Sequence, residues 1–76
     1  MGSRSSQNLE LISVKLGKDY YHLYKDMTNW CEKKFGIGDW GEPSIHNTWG
    51  NEILYGTTFF YFRKVSDAII FSLRWL

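Results

Sequence analysis

The residues of this chain that could do chemistry are two histidines, one cysteine and a glycine-rich segment. A metal site would require His22 and His46, the only histidines, to meet a carboxylate. His22 lies four residues before Asp26, but His46 lies in a different segment, so we expect no metal site. Cys31 has no histidine beside it in the sequence that could lower the pKa of its thiol, so we expect it to be buried and unreactive.

The glycine-rich segment, residues 36–41, does not match a phosphate-binding loop. It lacks the Lys-Ser/Thr pair of such loops, and Asp39 would repel a phosphate. The wider stretch, residues 36–56, still concentrates aromatic and amide side chains that could line a ligand or partner site between subunits. They are Trp40, His46, Asn47, Trp49 and Asn51. We therefore expect binding rather than catalysis, with no metal and no cofactor.

The composition indicates one small domain. A chain of 76 residues is near the size at which a single core barely outweighs chain entropy. One cysteine excludes an intrachain disulfide, whereas four Trp, five Tyr and five Phe supply area for a small core or an oligomer interface. The net charge of +1 comes without the basic stripe typical of nucleic-acid binders. A free cysteine and no targeting signal favour a cytoplasmic setting.

The first half of the chain reads as a leader, a strand and a helix. Residues 1–8 are polar and are interpreted as a disordered leader, so the domain spans residues 9–76. Apolar residues alternate with polar ones over residues 9–16, which predicts a strand. Over residues 20–35 the apolar positions recur at gaps of three and four, which predicts an amphipathic helix.

The second half reads as a long loop and a terminal hairpin. Residues 36–56 show no clean period and are expected to form a long loop, within which residues 53–55 could add a short strand or return the chain to the sheet. Residues 57–62 and 68–75 are apolar at nearly every position and flank a charged turn, which predicts two strands. The fold class is therefore α+β: a single βαββ domain with one helix packed on a three-stranded, mainly antiparallel sheet.

The predicted hairpin is apolar on both faces, so a period of two divides it into a core face and a spare face. The core face would hold Ile69, Phe71, Leu73 and Trp75, with Phe60 and Phe62. The spare face would hold Phe59, Tyr61, Ile70 and Arg74, with Leu11. Either residues 36–56 cover this face with Trp40 or Trp49, or another chain does. We expect another chain, in a homo-oligomer or partner interface, since monomers rarely expose large apolar patches.

Aromatic side chains on a strand also suggest stacking on bases. Phe59 and Tyr61 have Arg63, Lys64 and Arg74 nearby, but the chain lacks the basic footprint that supplies most nucleic-acid affinity. A nucleotide- or nucleic-acid-binding protein that stacks ligands on its loop and strand aromatics is therefore the alternative function.

The C-terminal residues carry a resemblance. Residues 59–63 (Phe-Phe-Tyr-Phe-Arg) and 67–75 (Asp-Ala-Ile-Ile-Phe-Ser-Leu-Arg-Trp) resemble the ending of small accessory proteins of tailed bacteriophages. The resemblance covers only this stretch, and no functional residue can be carried over from it. It implies a viral accessory protein in the host cytoplasm that binds and blocks a host immune or regulatory factor, or that sequesters a signalling nucleotide.

Overall fold

The computed structural model describes residues 11–76, so the predicted leader and residues 9 and 10 of the predicted first strand lie outside the described residues. The strands are β1 (Ile12–Leu16), β2 (Asp39–Trp40), β3 (Trp49–Leu54) and β4 (Thr57–Phe62), and the α-helices are α1 (Tyr24–Phe35) and α2 (Val65–Trp75). A 3₁₀ helix, Lys18–Leu23, leads into α1, which therefore begins four residues later than the apolar stripe predicts.

The four strands form one sheet in the order β1-β4-β3-β2. β4 pairs antiparallel with β1 and β3, whereas β2 pairs parallel with β3. The α+β class is confirmed, but the sheet has four strands rather than three, because residues 36–56 contribute β2 and β3 whereas residues 68–75 contribute no strand. Tyr55 and Gly56, both with positive φ, make the tight turn that joins β3 to β4.

The strand predicted over residues 68–75 is wrong, because these residues form α2. Ala68, Phe71 and Trp75 recur at gaps of three and four, so a helix turns all of them towards the sheet. The assignment of Phe71 and Trp75 to the core holds. The assignment of Ile69 and Leu73 to the core is wrong, since both are exposed on α2.

Both helices pack on one face of the sheet through aromatic contacts. Phe60 and Phe62 are fully buried, as predicted. The Phe60 ring lies 6.3 Å from Tyr24 of α1 and 4.7 Å from Phe71 of α2, between centroids. Phe62 likewise contacts Phe35 of α1 at 5.8 Å and Phe71 at 5.3 Å. The other face, called the outer face below, carries no helix within residues 11–76.

The apolar stripe of α1 faces the core as predicted. Met27 and Cys31 are fully buried, and Trp30 packs on both Phe71 and Trp75. Burial raises the pKa of the Cys31 thiol to about 12, because the thiolate would lose its hydration. The prediction of a buried cysteine is confirmed, and its thiol stays protonated at neutral pH.

The Thr58→Val substitution should stabilise the protein. Thr58 of β4 is buried, and its Oγ1 has no hydrogen-bond partner among the described residues. Valine keeps the side-chain shape and removes the unpaired hydroxyl, so the free energy of unfolding should rise by about 1 kcal/mol. Urea denaturation measures this change, with Thr57→Val, on the same strand but half-buried, as the control. A loss of stability in Thr58→Val would show that the hydroxyl is bonded in solution.

Candidate functional site: the clamped loop

Residues 36–48, which connect α1 to β3 and include β2, form a loop that the core holds at several points; we call it the clamped loop. Its start is held by Trp49. The Trp49 side chain is buried and stacked on Phe60, with 6.2 Å between ring centroids. Its Nε1 donates a hydrogen bond to the Gly36 carbonyl at 2.7 Å, and a Cβ on Gly38 would overlap its indole ring. The prediction of Trp49 as a ligand-binding residue is therefore wrong: Trp49 is a core residue.

Asn51 of β3 holds the middle of the clamped loop. Its side-chain Oδ1 accepts a hydrogen bond from the Tyr24 hydroxyl, and its backbone carbonyl accepts one from the Gly41 amide at 2.6 Å. Its Nδ2 donates to the Asp39 carbonyl at 3.4 Å. Burial raises the pKa of the Tyr24 hydroxyl, which favours its role as a donor. Asn51 was predicted to face a ligand, but its polar atoms are used inside the fold.

The Asp39 carboxylate organises the tip of the clamped loop. It accepts a hydrogen bond from the Ser44 backbone amide at 2.6 Å and one from the Asn47 Nδ2 at 2.9 Å. The Ser44 amide is the main reason that the pKa of Asp39 lies below its ordinary value, because it stabilises the charged form. Asn47, another predicted ligand-binding residue, therefore shapes the loop instead.

The Arg63 guanidinium, just after β4, closes the clamp from the other side. Its Nη2 donates to the Pro43 carbonyl at 2.5 Å and to the Ser44 carbonyl at 3.1 Å. The Arg63 backbone amide also donates to the Thr48 carbonyl at 3.0 Å. Two stretches of the loop backbone are thus tied to one residue, so the loop is ordered by polar contacts rather than by a core of its own.

The clamped loop exposes large apolar side chains although its backbone is held. Trp40 is 67% exposed, Ile37 is 70% exposed and Ile45 is 88% exposed. His46 is exposed beside Ile45. Of the five loop residues predicted from the sequence, only Trp40 and His46 face solvent, so the five do not line one pocket.

The residues predicted for a spare sheet face are divided between two surfaces. Phe59 and Tyr61 share the outer face, with stacked rings 6.2 Å apart. Ile70 and Arg74 lie on α2, on the opposite side of the sheet, where Arg74 sits 4.2 Å above the Trp75 ring. Leu11 is half-buried ahead of β1. The single interface predicted from these residues is wrong, because its geometry required residues 68–75 to be a strand.

The outer face is less exposed than a bare apolar sheet would be. Tyr61 is only 9% exposed, and its hydroxyl donates a hydrogen bond to the Glu52 carboxylate of the neighbouring strand. The pKa of Tyr61 is raised to about 12, mainly because its hydroxyl is desolvated and to a smaller extent because it donates to Glu52. Close packing at Gly50 brings the Gly41 carbonyl directly over β3. The clamped loop therefore lies against the outer face, which is one of the two ways of covering that face predicted from the sequence. The Gly41 backbone makes this contact, rather than Trp40 or Trp49.

Within residues 11–76, no three His, Cys, Asp or Glu side chains come together in a group that could hold a metal ion. His22 and His46 are both exposed and lie on different elements. Neither helix of the described chain is long and apolar enough to cross a membrane.

Comparison with protein-family models, curated proteins and solved structures finds no match to this chain. Sequence reasoning missed Asp39 and Arg63 as clamp residues and Ile45 as an exposed apolar residue. The bonds from Ser44 and Asn47 to Asp39 span five and eight residues, which is longer than the local side-chain to backbone turns that a sequence pattern indicates.

The Gly50→Ala substitution should release the clamped loop. A Cβ on Gly50 would overlap the Gly41 carbonyl oxygen, so the loop backbone must shift away from β3. We expect the free energy of unfolding to fall by about 1–3 kcal/mol or more, the usual cost of overpacking. Gly17→Ala is the matched control, since nothing lies within 4 Å of its Cβ position. Equal denaturation midpoints for the two variants would contradict the close approach at Gly50.

The clamped loop should loosen in acid. The pKa of Asp39 is lowered from 3.8 in the folded protein, so its stabilising contribution is complete above that value and is lost as the pH falls through the folded pKa. The Ser44 amide resonance, followed by NMR, should therefore titrate with a midpoint below 3.8, and the Asp39→Asn variant should lack the transition. A midpoint at or above 3.8 in the unaltered protein would show that Asp39 does not hold the loop.

Proposed function

We propose that this protein is a non-enzymatic protein-binding module that recognises its partner with the clamped loop. The observation that carries this proposal is the exposure of Trp40, 67%, on a loop whose backbone is fixed by Asp39, Asn51 and Arg63. A large aromatic side chain that is exposed to solvent, on a backbone that hydrogen bonds keep in place, favours a binding role. Loops positioned by a rigid scaffold are common sites of recognition.

The energetics of association support this role for Trp40. Tryptophan is among the residues most enriched at the energetic centres of protein interfaces. Binding usually costs free energy because loops and side chains must be ordered, and the hydrogen bonds to Asp39 and Arg63 meet part of that cost before the partner arrives. Ile45 adds a second exposed apolar side chain on the same loop.

The resemblance of residues 59–63 and 67–75 to phage accessory proteins supports a proposal about the partner. On this proposal the partner is a host immune or regulatory protein in the host cytoplasm, and occupation of its surface inhibits it. The resemblance alone supports this assignment, and the clamped loop supplies the surface through which it would operate.

Stacking of a nucleotide on loop aromatics finds less support. Single-strand binders combine exposed aromatic side chains, on which successive bases stack, with a positively charged groove. Trp49 is buried in the core, which leaves Trp40 and the smaller imidazole of His46 as the exposed aromatic rings of the clamped loop. Thermal shift measurements with nucleotides test this alternative, since a ligand of the native state raises the melting temperature.

Replacing Trp40 should abolish capture of the partner. Immobilised full-length protein is mixed with bacterial lysate, and bound proteins are identified by mass spectrometry. We expect a specific protein on the unaltered chain that Trp40→Ala loses at least tenfold, since hot-spot residues contribute about 2 kcal/mol or more. Tyr55→Ala is the matched control, because Tyr55 is a fully exposed aromatic residue in the turn between β3 and β4.

Two results would count against the proposal. If Trp40→Ala captures the same proteins as the unaltered chain, the clamped loop is not the binding site. If Tyr55→Ala and Trp40→Ala lose the same proteins equally, the capture reflects general adhesiveness of exposed aromatic residues. Matching circular dichroism spectra establish that both variants are folded.

A further inference from the structure

α2 carries apolar side chains that do not pack into the core of the domain. Val65, Ile69 and Leu73 recur every four residues along one side of the helix, and Leu73 is 82% exposed. With Ile12 and Val14 of β1 they line an apolar groove of about 280 Å³. A helix with apolar residues beyond its core-facing stripe is usually buried on a second side.

The charges of α2 avoid this groove. Arg74 lines the depression between α1 and α2, together with Trp30 and Lys33. At 100° per residue, Asp67 falls on the same flank as Arg74, about 160° from Ile69. The side of α2 that faces the β1 edge therefore carries no charge, which suits an apolar occupant.

Within residues 11–76, β1 presents an unpaired backbone edge beside the same groove. The strand order places β1 at one edge of the sheet, with β4 on one side and no strand of the described chain on the other. Its five residues contain no proline, and their one charge, Lys15, lies opposite Phe59 on the outer face, away from the groove. The opposite edge is β2, which has only two residues.

We propose that a second copy of this chain covers both features in a two-fold symmetric dimer. β1 pairs antiparallel with β1 of the second copy, Val14 lies on the two-fold axis, and the two sheets become one sheet of eight strands. The two α2 helices then lie side by side on the same face. This inference goes beyond the proposed role of the clamped loop and does not depend on it.

The sequence of β1 selects this register. With Val14 on the axis all five residues are paired: Ile12 lies opposite Leu16 of the second copy, and Lys15 opposite its Ser13. An axis at Lys15 would set two lysines directly opposite each other, which is destabilising. An axis at Ser13 would pair Lys15 with Leu11. A register in which the two-fold axis falls between two residues, rather than on one, would turn the apolar face of one strand towards solvent.

The position of α2 fits the same axis. α2 packs on both β1 and β4, so its axis lies above the space between them. With strands about 4.8 Å apart, that position is about 5 Å from the two-fold axis. The two α2 helices would then be roughly 10 Å apart, at the upper end of the 8–10 Å usual for packed helices. Ile69 and Leu73 would lose contact with water in the same interface.

The oligomeric state of the full-length protein tests the dimer. Sedimentation equilibrium at micromolar concentration should give twice the monomer mass of 9.0 kDa. Leu73→Arg should give a folded monomer, since an 82% exposed side chain contributes little to the fold. Ile45→Arg is the control, because Ile45 is 88% exposed on the clamped loop, outside the groove, and the dimer should persist. A monomeric unaltered chain, or a dimer unaffected by Leu73→Arg, would overturn the proposal.

Cysteine cross-linking tests the register. Residues opposite each other in an antiparallel pair have Cα atoms about 4.5–5.5 Å apart, within the range of a disulfide. Val14→Cys should therefore form a covalent dimer on oxidation with copper-phenanthroline, whereas Ile12→Cys should not, since it faces Leu16. Cys31 is fully buried and does not compete. Cross-linking of Ile12→Cys in preference to Val14→Cys would overturn the assigned axis, and Trp40→Ala should change neither result.

Discussion

The ring of Phe60 is the contact on which both layers of this domain depend. It lies fully buried in β4, stacks on Trp49 of β3, and touches Tyr24 of α1 and Phe71 of α2. The helices of the domain and its two central strands therefore meet at one side chain. In a chain of 76 residues few other contacts could replace it, because a small domain buries a smaller share of its surface. The same ring helps to hold Trp49, and Trp49 in turn holds the start of the clamped loop.

The sequence predicted those parts of the fold that show a single clear period. The stripe that includes Met27 and Cys31 fits only a helix, and the α+β class followed from it. The run from Ile69 to Leu73 fits a strand and a helix almost equally, and its β-branched residues favour a strand. The helix forms because Ala68, Phe71 and Trp75 then reach the core together. That choice depends on tertiary contacts, which a local pattern does not contain.

The clamped loop was harder to predict, because its order comes from bonds between side chains and backbone carbonyls or amides. The Arg63 guanidinium donates hydrogen bonds to the carbonyls of Ser44 and Pro43, which precede it by 19 and 20 positions. No local sequence pattern predicts contacts at that separation. Trp40 and Trp49 look equivalent in the sequence. Their roles separate only through register, since Trp49 lies opposite Phe62 and shares its core-facing side of the sheet. The sequence thus identified the segment that matters but not which of its side chains reach solvent.

β1 and β2, which carries Trp40, lie at opposite edges of one sheet, and this separation has a consequence for the kind of target that suits the protein. Joined along β1, two copies would carry their Trp40 side chains at the far ends of eight strands, roughly 35 Å apart. Two identical sites at a fixed spacing gain avidity on a target that repeats at that spacing, since the second binding event becomes intramolecular. A target with one copy of the epitope gains nothing. The spacing of the sheet would thus select symmetric or repetitive partners over single ones.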